Sequence, residues 1–268
     1  NIEIHGVYPD IFMKYYKCLG FDLIENISFS NTSPNKRYNY IRPKFFVGYK
    51  KNKSNTLIIA VTPGENYILH YASIIRFYLN TLTLKANQKL RILRYPNLEE
   101  NLVVWTGLDG RFIKQKDVVV IGVVEEIQNN LQKWHTLTKV SEFENSYYES
   151  KRFKLSNGRI INFLGVKYSF WGCMSTKIVL QLCKLNVDEV IYAAKLGCLT
   201  NVDDLYTKIF SPTKYLIMNA RKVEEYIIDL PNKFVKKFPS YNTGWHLSVP
   251  TVIEEDFEQR NTATHMGV

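Results

Sequence analysis

Apolar and polar positions along this chain fall into blocks that predict strands and helices in turn. Thr56-Leu-Ile-Ile-Ala-Val61 is a continuous apolar run ending at Thr62-Pro-Gly64, and residues 67–83 follow with helical spacing. Asp117-Val-Val-Val-Ile-Gly122 repeats the pattern, with a helical stretch over 125–134 behind it. Arg159–Gly165 reads as a third strand, Lys177–Asn186 as an amphipathic helix and Val187–Gly197 as a further strand closing in glycine. Shorter runs at 101–105, 213–218 and 245–249 are expected as strands, and 221–238 as a helix with Pro231 inside or ending it. Ahead of these, Asp10–Gly20 has the spacing of a helix closed by glycine. Residues 31–53 read as an irregular or hairpin segment, and 136–156 as a polar excursion.

Short, fully apolar strands separated by helices predict an α/β fold: a mainly parallel or mixed central sheet flanked by helices. The expected organisation is an N-terminal helix and irregular, basic segment over residues 1–55, packed on an α/β domain over 56–268. Glycines and hydroxyls at successive strand ends place the expected site along the carboxyl edge of the sheet.

Composition adjusts this picture only slightly. At 268 residues the chain can bury a full core. No apolar run reaches the roughly 18 residues of a membrane span, and Asn1-Ile-Glu-Ile-His5 lacks the build of a signal peptide; a cytoplasmic protein is expected. The absent initiator Met suggests processing, or excision from something longer. Cys18, Cys173, Cys183 and Cys198 show no metal-binding or redox spacing and are expected to be reduced and buried. The net charge of +10 raises nucleic acid as a partner. Yet the basic residues are scattered, with Lys50, Lys51 and Lys53 the only tight run, as an AT-rich genome would also produce.

Several motifs have both a chemical and a plain reading. Gly64 ends either a phosphate-contacting loop or an ordinary turn. Asp109 and Arg111, among glycines, make a site or an Asx turn. Trp171-Gly-Cys-Met-Ser-Thr176 opens a helix, where Ser175 and Thr176 can cap, contact an anion, or do both. Lys195, before Gly197, can neutralise a phosphate or carboxylate, or snorkel at the surface. His246 lies in a short apolar strand and fits a core role better than a catalytic one. Glu254-Glu255-Asp256 reads as a solvated turn, and no metal site is expected.

Taken in order, Gly165–Leu199, Gly244–Val268 and Val61–Gly64 resemble the nucleoside phosphorylase/nucleosidase superfamily. In that family a strand leads to a glycine-plus-serine turn opening a helix, similar to Gly172–Thr176 here. An apolar strand closing in glycine follows, similar to Val187–Gly197, and then a serine-rich loop, similar to Ser248-Val-Pro-Thr251. The resemblance implies a phosphorylase-like domain, truncated at its C-terminus, that binds a nucleoside or nucleotide and cleaves its N-glycosidic bond. Gly172, Ser175 and Thr176 would contact phosphate or ribose. Lys195 beside Gly197 would supply charge, His246 and Ser248 would line the sugar or base pocket, and Gly64 would bring backbone close.

It also implies either phosphate or water as the co-reactant, no cofactor and self-association into a homo-oligomer. The departures are specific: Tyr192 stands for the family's phosphate-binding arginine, Lys195 for its serine, Ile68 for an arginine after the first loop and Val252 for the base-stacking aromatic. No residue fills the role of catalytic acid, so the catalytic residues stay unassigned. Two rivals follow: a catalytically inactive phosphorylase-like domain that senses nucleotides or binds partners, and a basic nucleic-acid-binding protein.

Overall fold

The computed structural model describes residues 1–27, 36–51, 53–81, 89–95, 101–199, 203, 207–219, 222–227, 232–249, 251, 253, 255 and 257–265. The chain divides into two compact units, Asn1–Ala194 and Lys195–Val268.

The first unit opens with β1 (Ile2–Gly6), α1 (Pro9–Tyr15), β2 (Leu23–Ile27), β3 (Lys44–Tyr49), β4 (Thr56–Val61), α2 (Glu65–Thr81) and β5 (Leu90–Leu93). These strands form a sheet in the order β2-β3-β4-β1-β5, with β1 parallel to β4 and β5 and the other pairs antiparallel. Residues 1–55 therefore supply three strands to the sheet that contains β4. The chain's first strand is wholly buried, and its Glu3 and His5 mask it among the apolar residues. Helix α1 covers one face, where Phe12 packs with Val7, Phe21, Phe46, Ile58 and Ala60. Helix α2 covers the other, where Tyr67, Ile68 and Ala72 meet Ile2, Ile4, Ile59 and Val61. Each such fully buried aliphatic side chain stabilises by about 1.5–3 kcal/mol.

The unit continues with α3 (Leu102–Thr106), β6 (Val118–Gly122), α4 (Val124–Trp134), β7 (Thr138–Glu144), β8 (Tyr148–Lys154), β9 (Ile160–Val166), α5 (Cys173–Lys184) and β10 (Glu189–Ala193). Its second sheet runs β10-β6-β9-β8-β7, parallel from β10 to β9 and antiparallel beyond. In the second unit, β11 (Lys214–Asn219) lies between β12 (Lys222–Ile227) and β13 (Trp245–Ser248), with α6 (Lys233–Lys237) and α7 (Phe257–His265). The chain is thus an α/β protein of mixed sheets with parallel strands, flanked by helices.

Four local expectations are corrected. Residues 101–105 are not a strand: Asn101 Oδ1 accepts from the amides of Val103 (3.0 Å) and Val104 (3.3 Å), and Gly107 closes a one-turn helix. Residues 222–227, expected as helix, form β12 antiparallel to β11, while 233–237 are helical, capped by Asn232. Pro231 lies outside the described residues. The polar excursion over 136–156 holds the hairpin β7–β8. None of the four cysteines is in a disulfide, but Cys18 and Cys183 are exposed rather than buried. Among the described residues no helix is long and apolar enough to cross a membrane.

Candidate functional site

The loops after β4 and β9 meet where α2 and α5 begin. Asn66, in the first turn of α2, accepts a hydrogen bond from the Cys173 amide at 2.8 Å. Gly64 and Gly172 permit this approach. Gly64 has φ +128°, and a Cβ there would lie 2.6 Å from Cys173 Sγ; Gly172 has φ +59°, and its Cβ would lie 2.7 Å from Asn66 Oδ1. The Tyr67 hydroxyl accepts from the Trp171 amide at 3.0 Å while the two rings pack 4.3 Å apart. Trp105 Nε1 donates to Pro63 O at 3.3 Å, and Lys177 Nζ sits 4.6 Å from the Trp105 ring.

Of the residues expected to bind ligand, the structure gathers Gly64, Gly172, Ser175 and Thr176 at this junction. Ser175 Oγ donates to Gly172 O at 2.7 Å, and Thr176 is exposed. Glu65, at the start of α2, accepts from Arg94 Nε at 2.7 Å, which holds its carboxyl below the usual range. Ile68, in the place of the family's arginine, is fully buried and packs on Gly6. Asp109 and Arg111 form an Asx turn and ion pair with each other.

The other four expected residues belong to the second unit. Lys195 and Gly197 lie in exposed backbone outside regular structure. His246 and Ser248 sit on β13, where the His246 ring packs 5.3 Å from Tyr215 and burial lowers its pKa. Among the described residues no group of three or more His, Cys, Asp and Glu side chains is arranged to hold a metal ion.

Two polar clusters escaped sequence reasoning. His5, fully buried, bonds through Nδ1 to the Tyr95 hydroxyl at 2.6 Å and through Nε2 to Glu3 at 3.2 Å. The alternation Glu3-x-His5 within an apolar pentapeptide was its only signal. On β8, Glu149 accepts from Arg37 Nε at 2.7 Å and from the Tyr38 hydroxyl at 2.5 Å, and pairs with Lys151 at 3.1 Å. Burial alone would raise the Glu149 pKa; bonds from Arg37, Tyr38 and Lys151 outweigh it and hold it at about 2. Gly165 leaves room for the Tyr38 ring. No local motif joins Arg37 to Glu149.

No family model matches this chain. Its class is set by the fold: α/β, with two strand-to-helix loops converging. Among particular proteins, it is 27% identical to the oxidoreductase Cns1 of Cordyceps militaris over 99% of its length, and spans only 35% of that longer protein. Among solved structures it matches a purine nucleoside phosphorylase of Toxoplasma gondii in complex with immucillin-H, at 13% identity over 53% of this chain and 59% of that one, with a TM-score of 0.31. A glyoxalase/bleomycin resistance protein/dioxygenase domain from Frankia sp. EAN1pec matches at 9% identity over 62% and 94%, with a TM-score of 0.17. Likeness at these scores fixes neither substrate nor reaction.

Proposed function

We propose that this chain binds a nucleoside or nucleotide at the junction of α2 and α5, as the ligand-binding part of a larger enzyme. The observation that carries this reading is the close approach at Gly64 and Gly172, which brings together the starts of a 17-residue and a 12-residue helix. First-turn amides and helix dipoles favour an anion at such ends. The named activity of the Cordyceps relative makes an oxidoreductase the natural setting, with this chain supplying binding rather than the whole reaction.

N-glycosidic cleavage is the finer alternative inherited from the family resemblance. It requires a carboxylic acid able to give up a proton near neutral pH. Glu65, the acid in the first turn of α2, is held as a carboxylate by Arg94, which favours binding over cleavage.

The test is a melting screen of the full chain against adenosine, inosine, guanosine and uridine, their monophosphates and NAD, each with and without inorganic phosphate. Chromatography reads free base in parallel. A rise in melting temperature without base release is expected. Base release would establish cleavage instead, and no response to any compound would overturn binding.

A further inference from the structure

Four tyrosines of the first unit share one cluster. Tyr8 packs 4.6 Å from Tyr147 and 5.3 Å from Tyr168, and Tyr168 lies 5.5 Å from Tyr148 and 6.2 Å from Tyr147 between ring centroids. Tyr8, Tyr148 and Tyr168 are essentially inaccessible to solvent. Their proton acceptors differ sharply from that of Tyr147. The Tyr8 hydroxyl has no hydrogen-bond partner among the described residues. Tyr148 and Tyr168 bond to each other and to the carbonyl of Thr106, which Tyr168 reaches at 3.0 Å. Neither a phenol nor a carbonyl oxygen is a useful base at neutral pH. Tyr147, half-buried, donates instead to the carboxylate of the exposed Asp10.

Removing an electron from a phenol makes it a strong acid, so oxidation is easiest where a base stands ready. In this cluster that place is Tyr147. We propose that Tyr147 and Asp10 form a redox-active tyrosine at the surface end of the buried cluster. A one-electron oxidant of high potential takes one electron from the cluster, and the hole settles on Tyr147. The phenolic proton passes to Asp10, leaving a neutral tyrosyl radical hydrogen-bonded to a carboxylic acid; an external one-electron reductant and return of that proton restore the pair. Burial and the neighbouring Asp10 charge both keep Tyr147 protonated before oxidation. Tyr38 and Tyr49 also donate to carboxylates, but Glu149 is already engaged by Arg37 and Lys151. The Tyr49–Glu25 pair joins β3 to β2 and, among the described residues, has no ring contact to the buried cluster that would feed it the hole.

The test uses the full chain, photogenerated tris(bipyridine)ruthenium(III) as oxidant, rapid freezing and electron paramagnetic resonance. The wild-type chain is expected to give a tyrosyl signal that falls about tenfold in Tyr147→Phe and in Asp10→Asn, as loss of a charge-assisted bond would cause. Tyr38→Phe and Tyr49→Phe, which remove the other phenols bonded to carboxylates, should each leave the yield unchanged. Circular dichroism melts check that each variant folds, and Asp10→Asn, a change at an exposed carboxylate, decides the matter if Tyr147→Phe does not. Equal radical yield in wild type and Asp10→Asn would overturn the proposal, as would a signal lost only in Tyr38→Phe or only in Tyr49→Phe.

Discussion

A side chain on Gly64 would have to displace Cys173, and one on Gly172 would have to displace Asn66. The two glycines are thus required by packing between loops, whatever else binds there. Gly64→Ala should cost about 2 kcal/mol or more, because strained φ and overlap add; a urea melt measures it. Asn66→Ala removes the acceptor for the Cys173 amide and should cost about 1 kcal/mol, as loss of a helix cap does. Glu149 supplies the clearest pH effect. Its folded pKa of about 2 lies below its ordinary 4.5. Its contribution is therefore complete above about pH 4.5 and lost as pH falls toward 2, at most about 3 kcal/mol. Acid unfolding of Glu149→Gln should lack that component, and an unchanged acid limb would contradict the assignment. The glycines at 64 and 172 were legible in the sequence as special positions. Their immediate reason was not, because it depends on two loops that the chain brings together from a hundred residues apart.

At the scale of elements, burial on both faces separates what could be read from what could not. Strands β4, β6 and β9 announce themselves as runs of Ile, Val, Leu and Phe because helices or loops cover both sides. The edge strand β7 buries almost nothing, so Thr138–Glu144 carries no apolar pattern and reads only as part of a polar excursion. Amides along β7 should consequently exchange with deuterium well before those of β6 and β9. Equal protection across the sheet would contradict this order. The apolar run Leu102–Trp105 is too short for periodicity to decide; Asn101 and Gly107, at its two ends, decide it for helix. For β12, pairing with β11 overrides a sequence that reads as helix.

At the scale of the molecule, charge and core are distributed unequally between the two units. Of 35 Lys and Arg, 26 fall in residues 1–194, and so do 16 of the 25 Asp and Glu; residues 195–268 carry 9 of each. The whole excess of +10 thus belongs to the first unit. Among the described residues, the three buried apolar clusters lie there too. Residues 1–194 expressed alone should therefore melt cooperatively, which calorimetry checks. The fold class was legible from alternating strands and helices; the split near residue 194 was not, since no Gly- or Ser-rich linker marks it.

The central claim is that ligand binds where α2 and α5 begin. Hydrogen exchange of the full chain tests it most directly, measured with and without whichever nucleotide of the melting screen stabilises it most. A ligand present at a hundred times its Kd adds about 2.7 kcal/mol to the folded state. Protection is predicted to rise first at the amides of residues 65–67 and 173–176. Protection confined to other segments, or none at all, would contradict the account.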